Sequence, residues 1–300
     1  MKKDFICIWD LDKSKILNLF QSANYLKKLI GEGKIYHPLD GKTLVMIFEK
    51  SSTRTRVSFE VGMYQLGGKS LFLSNQDMQL GRGESIEDTA RVLSRYVNGI
   101  MIRTTEHQRV ERLARAATIP VINGLTNLLH PCQALSDYYT LWRMGKKLDK
   151  IKLAYIGDGN NVCHSLILGA AKLSISIWIA TPEEYQPKER IIKKAKEGKI
   201  HLLRDPEEAV KQADVVFTDV WTSMGWEEEK EVRKKIFQPY QLNSTLLSKA
   251  KSDVLVMHCL PAHRGEEITD EVIDGENSII FEQAENRLHL QKAILLDLLK

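Results

Sequence analysis

The segment "SSTRTR", residues 51–56, places four hydroxyl side chains and two arginines between an apolar run and an amphipathic stretch. A helix start needs one capping side chain, and either Ser52 or Thr53 would serve, so capping leaves most of these donors without a role. The first N–H groups of a helix lack internal partners, and its dipole is positive there. A phosphate binds well at such a place, where hydroxyls and a guanidinium strengthen its binding. The segment therefore predicts phosphate binding, although the absence of GxxxxGK gives no reason to expect a nucleoside triphosphate.

Polar side chains that could do chemistry recur just after the apolar runs. They are Arg103, His130, Gln133, Asn160, Asn161, Asp219, His258 and Cys259. Each also has an ordinary explanation: Arg103 could pair with Glu106, His130 could cap a helix, and the two asparagines could form turns. Ligands bind beyond the carboxyl ends of the strands in open α/β sheets. The recurrence of such residues at strand ends therefore favours a functional site over coincidence.

Short apolar runs alternate with longer helical patterns along the chain, a rhythm typical of parallel βαβ units. The predicted strands are "TLVMIF", "SLFLS", "GIMIRT", "VINGL", "KLAYIG", "SIWIAT", "VVFTDV" and "VLVMHCL". The predicted helices include 53–66, 85–95, 107–117, 130–144 and 163–173. The pattern predicts an α/β fold with doubly wound parallel sheets.

The length of 300 residues exceeds what one hydrophobic core usually serves, which predicts two domains. The break is expected near "RMGKKLDK", residues 143–150, where Gly145 and a run of charge precede a new strand. We therefore expect one domain over 1–145 and another over 146–282. The last helix, within 283–300, is apolar on one face and has no strand after it, so it is expected to pack back and connect the halves.

The amino-acid composition of the chain favours some classes of function and argues against others. The net charge of +4 and the pI near 8.7 suit a small anionic substrate, and no concentrated basic tract favours nucleic acid. The four cysteines are far apart and form no C-x-x-C pair, which argues against structural zinc and disulfides and favours a reducing compartment. Acidic residues interrupt the apolar residues near the start, so neither a signal peptide nor a membrane span is predicted. We expect a cytoplasmic protein that binds neither nucleic acid nor membrane.

The stretch "YIGDGNNVCHSLILGAA" has the strand, glycine turn and helix that begin a dinucleotide site. The match is poor, because Val162 stands at the third glycine position and the next strand ends in Thr181 rather than in an acid. Gly157 and Gly159 are therefore expected to serve close backbone packing. A dinucleotide-dependent oxidoreductase remains an alternative. A binding-only protein is less favoured, because a histidine, a cysteine and a carboxylate join an anion site.

Several long motifs follow one another in register. They are "SSTRTR", "QLGRGES" with "DTARVLSRY", "HPCQALSD", "GDGNN", "TDVWTSMG", "HCLPAHRGEE" and "QAENR". Together they closely resemble the aspartate/ornithine carbamoyltransferase family, nearly from end to end. The resemblance implies two α/β domains linked by interdomain helices, the first for carbamoyl phosphate and the second for an amino-acid acceptor. It also implies a homotrimer, with no cofactor and no metal.

The resemblance assigns roles to residues around carbamoyl phosphate. Ser52, Thr53, Arg54 and Thr55 would form the phosphate cradle, which accounts for the surplus of donors. Arg103 would bind both the phosphate and the carbonyl oxygen. The residues implied at the carbamoyl end are His130, Gln133, Cys259, Leu260 and Arg287, and Gln79 is implied to reach in from a neighbouring subunit.

The acceptor residues implied by the resemblance are Asn161, Asp219, Ser223 and Met224, with Leu260–Pro261 as a cis peptide. Ornithine is favoured, because Asp219 suits an ammonium group and because the aspartate-specific members lack "TSMG" and "HCLP". Putrescine and acetylated ornithine remain alternative acceptors.

The implied reaction is attack of the neutral δ-amine of ornithine on the carbonyl carbon, followed by departure of phosphate and release of citrulline. Arg103 and His130 would stabilise the oxyanion. An amine of pKa about 10.4 is mostly protonated at neutral pH, so the site must bind the scarce neutral form or remove a proton. Cys259 beside Asp219 is the candidate for that step.

Overall fold

The computed structural model describes residues 3–74, 83–222 and 229–300. The chain forms two compact units, Met1–Tyr139 with Asn286–Lys300, and Thr140–Glu285. The domain bounds predicted from the sequence, 1–145 and 146–282, remain a prediction beside these units.

The first unit contains a sheet of four parallel strands in the order β2-β1-β3-β4. The strands are β1 (Thr43–Phe48), β2 (Lys69–Ser74), β3 (Gly99–Arg103) and β4 (Val121–Leu125). The helices are α1 (Lys13–Gly31), α2 (Thr53–Gln65), α3 (Ile86–Tyr96), α4 (His107–Ala116) and the first part of α5 (Pro131–Arg143). The later part of the last helix, α12 (Ile280–Leu299), also belongs to this unit.

The second unit contains five parallel strands in the order β7-β6-β5-β8-β9. They are β5 (Lys152–Ile156), β6 (Ser176–Ala180), β7 (Lys199–Leu203), β8 (Val215–Thr218) and β9 (Leu255–His258). The helices between them are α6 (Asn161–Leu173), α7 (Glu189–Lys194), α8 (Pro206–Val210), α9 (Lys230–Phe237), α10 (Ser244–Leu247) and α11 (Asp270–Ile273). Two parallel α/β sheets confirm the predicted fold class. None of the helices in the described ranges has the length and apolar character that crossing a membrane requires.

All eight predicted strands are confirmed. Central strands such as β1 and β3 are buried on both faces and appear in sequence as continuous apolar runs, whereas β2, at a sheet edge, is only partly buried. Every residue of β3 and of β4 is buried. Strand β7 was not predicted: it lies at the edge of its sheet, where Lys199 and His201 are exposed and interrupt the apolar run. No prediction covered α1, which Asp12 caps and which buries one face.

The strand order creates a switch point in each sheet. In the first unit, β1 lies between β2 and β3, and Phe48 and Arg103 are level at the carboxyl ends of β1 and β3. In the second unit, β5 lies between β6 and β8, with Ile156 level with Thr218. A crevice opens at such a point, because the connections leave the two strands in opposite directions. "SSTRTR" and Arg103 follow the first switch point.

Helix α12 contributes a buried lysine to the first unit. Lys292 is 1% exposed, and its ammonium donates to the amide oxygen of Gln65 at 2.7 Å. Burial lowers the pKa of Lys292 from 10.5 to about 8, since the charged form loses its hydration. At neutral pH the protein therefore carries a buried charge that costs stability.

We expect Lys292→Met to raise the free energy of unfolding at pH 7 by about 1 to 3 kcal/mol, because it removes this charge at nearly constant volume. The pKa of Lys292 is lower in the folded state than in the unfolded state. Its cost is therefore fully present below pH 8 and is lost as pH rises toward 10.5. The gain from Lys292→Met should shrink over that window in urea unfolding curves. Lys28→Met, on the exposed face of α1, is the control; a Lys292→Met protein less stable at pH 7 would contradict the prediction.

Candidate active site

The start of α2 supplies the first donors of the site. Ser52 is the N-cap in extended conformation, and its hydroxyl accepts the N–H of Thr55 at 3.2 Å. Ser52 therefore fills the one capping role, worth about 1 kcal/mol. Thr53, the first residue of α2, is exposed, and Arg54 is half-buried. The Thr53 hydroxyl and the Arg54 guanidinium are thus candidates for binding an anion.

The Thr55 hydroxyl is the point at which the elements of the first unit meet. Arg287 of α12 donates to it at 3.0 Å, and Arg103 at the end of β3 lies 3.5 Å away. The Ser52 hydroxyl is also within 3.1 Å. Both guanidinium groups are buried, Arg103 at 8% and Arg287 at 4% exposure. Two positive charges side by side repel each other, and a bound anion would reduce that repulsion.

His130 and Gln133 lie at the start of α5. The His130 carbonyl accepts the first N–H groups of that helix, as its ordinary structural explanation requires. Burial lowers the pKa of His130 well below its usual value, and the charges of Arg287 and Arg103 lower it further. The ring is therefore neutral at physiological pH and can donate one N–H. The Gln133 amide nitrogen donates to Asp137 at 2.8 Å.

Arg56, the second arginine of the segment, serves a different purpose. Its guanidinium pairs with Glu60 at 3.0 Å, one turn along α2, and lies over the Phe72 ring at 3.9 Å. Arg56 is exposed and part of the surface. Of the two arginines that the sequence left unexplained, only Arg54 remains a candidate for the anion.

The second unit positions a carboxylate at its own switch point. Asp219, which follows β8, is 4% exposed. One of its oxygens accepts the Cys259 thiol at 2.9 Å and the Val220 N–H at 2.8 Å. The other accepts the Asn160 amide at 2.7 Å. The three donors hold Asp219 in one orientation, and the half-buried thiol of Cys259 lies against it.

The turn between β5 and α6 explains both asparagines and the glycine before them. Asn160 is the N-cap of α6, accepting the N–H groups of Val162 and Cys163, so the ordinary explanation holds for it beside its bond to Asp219. Asn161 is the first residue of the helix. A Cβ on Gly159 would lie 2.5 Å from the Tyr185 carbonyl oxygen, which confirms the expected close packing there. The same prediction is wrong for Gly157, where a Cβ would meet nothing nearer than 3.7 Å and glycine instead serves a backbone φ of 132°.

Leu260 and Pro261 follow Cys259 in the loop after β9. Their peptide bond is cis, as predicted, and Leu260 has a left-handed backbone with φ of 55°. The predicted residues Gln79, Ser223 and Met224 lie outside the described residues.

The sequence analysis did not single out the pair Asp158 and Arg233. The Arg233 guanidinium pairs with Asp158, donates to the Trp221 carbonyl at 2.6 Å and lies over the Tyr185 ring at 4.4 Å. Burial raises the pKa of Asp158 to about 7, although Arg233 opposes the shift. Asp158 stands in the "GDGNN" motif, but its partner is 75 positions away and carries no local signal.

One group of metal-ligand types adjoins the acceptor side: Asp219, His258 and Cys259 offer ligand atoms within 4.8 Å of one another. The Cys259 thiol donates to Asp219, and both ring nitrogens of His258 are in hydrogen bonds. These ligand atoms are therefore engaged within the protein. That the site uses no metal and no cofactor stays a prediction.

Comparison with known proteins places this arrangement in a family. Residues 3–143 match the model described as the carbamoyl-P binding domain of aspartate/ornithine carbamoyltransferase, and residues 149–298 match its Asp/Orn binding domain. The chain is 58% identical over 299 residues to the ornithine carbamoyltransferase of Syntrophus aciditrophicus, covering 98% of this chain and 99% of the relative.

Solved structures of ornithine carbamoyltransferases are also similar to this chain. The ornithine carbamoyltransferase of Pyrococcus furiosus is similar with a TM-score of 0.96 at 53% identity, covering 99% of this chain and 97% of the other. The anabolic enzyme of Campylobacter jejuni gives 0.92 at 42%, with 99% of both chains covered. Both domain models and these relatives are carbamoyltransferases, so the protein is a transferase. The chain belongs to the aspartate/ornithine carbamoyltransferase family.

Arg54→Ala tests the anion site, with Arg56→Ala as the matched control from the same helix. We expect Arg54→Ala to lower kcat/KM for carbamoyl phosphate by about 100-fold or more, since a charged donor to the reacting group is lost. Arg56→Ala should remain near the original value. Calorimetric titration with carbamoyl phosphate, and separately with inorganic phosphate, measures binding directly. Near-normal kinetics in a folded Arg54→Ala protein would exclude Arg54 from the cradle.

Proposed function

We propose that this protein transfers the carbamoyl group of carbamoyl phosphate to the δ-amine of L-ornithine, which yields L-citrulline and phosphate. The observation that carries the proposal is the pair of buried arginines, Arg103 and Arg287, at the Thr55 hydroxyl. Arg103 and Thr55 lie within the residues that match a carbamoyl-P binding domain. Relatives more than 50% identical over nearly the whole chain carry the name ornithine carbamoyltransferase, which supports the acceptor.

In this mechanism the first unit binds and activates carbamoyl phosphate. The phosphate occupies the start of α2, held by Ser52, Thr53, Arg54 and Thr55, and Arg103 and Arg287 neutralise its charge. Phosphate leaves as the C–O bond breaks, so these cations stabilise the leaving group as well as the substrate. Arg103 also donates to the carbonyl oxygen as it becomes an oxyanion.

Neutral His130 assists at the carbonyl. Its lowered pKa keeps one ring nitrogen protonated and the other free of a proton, so it donates a hydrogen bond without adding a third charge beside Arg103 and Arg287. Gln133 binds the carbamoyl nitrogen. The backbone of Leu260 and the thiol of Cys259 complete the carbamoyl contacts in this proposal.

The second unit binds the acceptor. Asp219 pairs with the α-ammonium of ornithine, and Asn161, Ser223 and Met224 are proposed to contact the rest of the amino acid. A carboxylate suits a cationic acceptor and repels the extra carboxylate of aspartate, which separates the two branches of the family electrostatically. The family assignment also favours a transferase over the dinucleotide-dependent oxidoreductase left open by the glycine turn.

The attacking amine must lose a proton. The Cys259 thiol donates its hydrogen bond to Asp219, so the thiol is oriented to pass a proton to that carboxylate while its sulfur accepts one from the δ-amine. This proton leaves as the neutral δ-amine forms the C–N bond with the carbonyl carbon, so the bonded nitrogen ends uncharged, and the oxyanion then collapses with loss of phosphate. Asp219 thus serves both the binding of the α-ammonium and the removal of the proton.

We further propose a cytoplasmic homotrimer with a biosynthetic role in forming arginine precursors. Large apolar side chains are exposed on α2, β2 and α3 of the first unit. They are Val57, Tyr64, Leu71, Val92 and Tyr96. A second copy of the chain that covered these side chains would remove them from water. Gln79, between β2 and α3 in the sequence, would then reach a neighbour's site, and the name anabolic given to the relative from Pyrococcus furiosus supports the direction.

Asp219→Asn tests the acceptor, because it keeps the shape of the side chain and removes its charge. We expect KM for ornithine to rise at least about tenfold, with KM for carbamoyl phosphate little changed. The measurement is ureido product formed from ornithine, acetylornithine, putrescine and aspartate in parallel. Asp253→Asn, at an exposed carboxylate of the same unit, is the control. Unchanged ornithine kinetics in Asp219→Asn would reject ornithine as the partner of this carboxylate.

A mixing experiment tests the shared site. Arg54→Ala and Gln79→Ala chains should each be nearly inactive alone but recover activity when mixed, because some sites then combine an intact Arg54 with a neighbour's intact Gln79. Arg54→Ala mixed with Arg287→Gln should not recover, since both lesions fall in the same chain's half of the site. Lack of recovery in the first mixture, with subunit exchange verified by tagged chains, would show that one chain forms the site alone.

A further inference from the structure

His258 has no role in the mechanism above, although it stands beside Cys259 at the end of β9. It is 1% exposed. Its Nδ1 accepts the N–H of Leu260 at 2.8 Å, so in the neutral ring the proton is on Nε2. That Nε2–H donates to the carboxylate of Glu267 at 3.0 Å. The ring thus connects the backbone of the loop to a carboxylate.

Glu267 joins both ends of this loop. The carboxylate oxygen that accepts from His258 also accepts the backbone N–H of His263 at 2.7 Å. Glu267 is 0% exposed, and its own carbonyl accepts the N–H of Leu242, which fixes its backbone. Residues 258–263, which include Cys259, are therefore closed into a loop by one buried carboxylate.

The closed loop holds a conformation that the sequence alone would not favour. Leu260 has φ of 55°, and a residue with a Cβ is disfavoured in the left-handed region. The bond from its N–H to His258 fixes the peptide group that precedes this residue. On the other side of the same peptide, the Cys259 thiol reaches Asp219 at 2.9 Å.

We propose that His258 and Glu267 are positioning residues of the active site: Glu267 fixes the Nε2–H form of His258, whose Nδ1 holds the Leu260 amide and so aims the Cys259 thiol at Asp219. The inference rests on the proposed function, in which Cys259 and Leu260 act on the substrates. It assigns no direct substrate contact to either positioning residue. The same two bonds would exist if His258 only filled the core, so the test must separate placement of the loop from stability.

Two substitutions of His258 each preserve one of the two hydrogen bonds that its ring makes. In His258→Asn the amide oxygen takes the place of Nδ1 and can accept the Leu260 N–H, but the side chain does not reach Glu267. In His258→Gln the amide takes the place of Nε2 and can donate to Glu267, but it offers nothing to Leu260. Each variant loses one buried hydrogen bond, so their stabilities should fall by comparable amounts.

Their activities should differ. We expect kcat for ornithine to fall about 100-fold in His258→Gln and less than about tenfold in His258→Asn, because misplacing a reacting group by about 1 Å costs on that order. Urea unfolding and circular dichroism measure the stability and the fold. Equal kcat losses, or losses that follow stability, would overturn the proposal.

A second pair keeps the test decisive if either His258 variant fails to fold. Glu267→Gln retains an oxygen that can accept from both His258 and His263, whereas Glu267→Ala retains none. We expect Glu267→Gln to keep kcat within about tenfold and Glu267→Ala to lose about 100-fold. Equal kcat in the two Glu267 variants would overturn the role. The unsubstituted protein, assayed with the four amines, reports separately on the proposed function: if another amine were the substrate, the variants would be ranked with that amine.

Discussion

One buried hydroxyl, that of Thr55, holds the anion site together. Arg103 and Arg287 approach it from the end of β3 and from α12, and its own backbone begins α2 under the Ser52 cap. Residues separated by 232 positions in sequence thus meet at one oxygen. Their two positive charges repel each other, and the anion proposed to bind there would reduce that repulsion.

The second unit carries the opposite charge at its switch point. There a buried carboxylate, Asp219, stands at the switch point, and neutral donors from Asn160, Val220 and Cys259 orient it. Neutral donors fix a carboxylate without neutralising it, so its charge stays available for a cationic ligand. Each unit thus presents the charge opposite to that of the group it is proposed to bind: cations for the phosphate and a carboxylate for the α-ammonium.

Much of the fold and of the candidate site can be predicted from the sequence, because the central parallel strands are buried on both faces and end in polar residues at one edge of the sheet. Arg103 was predicted for that reason, whereas Arg287, in α12, was implied only by the family resemblance. Local rules sufficed for Ser52, one of the two caps considered. The edge strand β7 and helix α1 were not predicted, the first because solvent at the sheet edge removes the apolar pattern. Asp158 with Arg233, and His258 with Glu267, depend on tertiary pairing, to which no spacing rule applies. Arg56 belongs to the same motif as Arg54 but pairs with Glu60 on the surface, so its place in the motif did not predict its role.

The first unit is discontinuous: its sheet is made of residues before 140, yet the part of α12 that completes it comes after residue 285. During synthesis on the ribosome, β1 to β4 emerge first and must wait until all of the second unit has been translated. Until then Gly62 of α2 and Gly99 of β3 lack the side chains of Leu295 and Leu299 that pack against them. The nascent chain therefore exposes an incomplete core for the time it takes to translate about half of the protein, which is when chaperones and proteases can recognise it. The anion site, which needs Arg287, is among the last parts of the molecule to form.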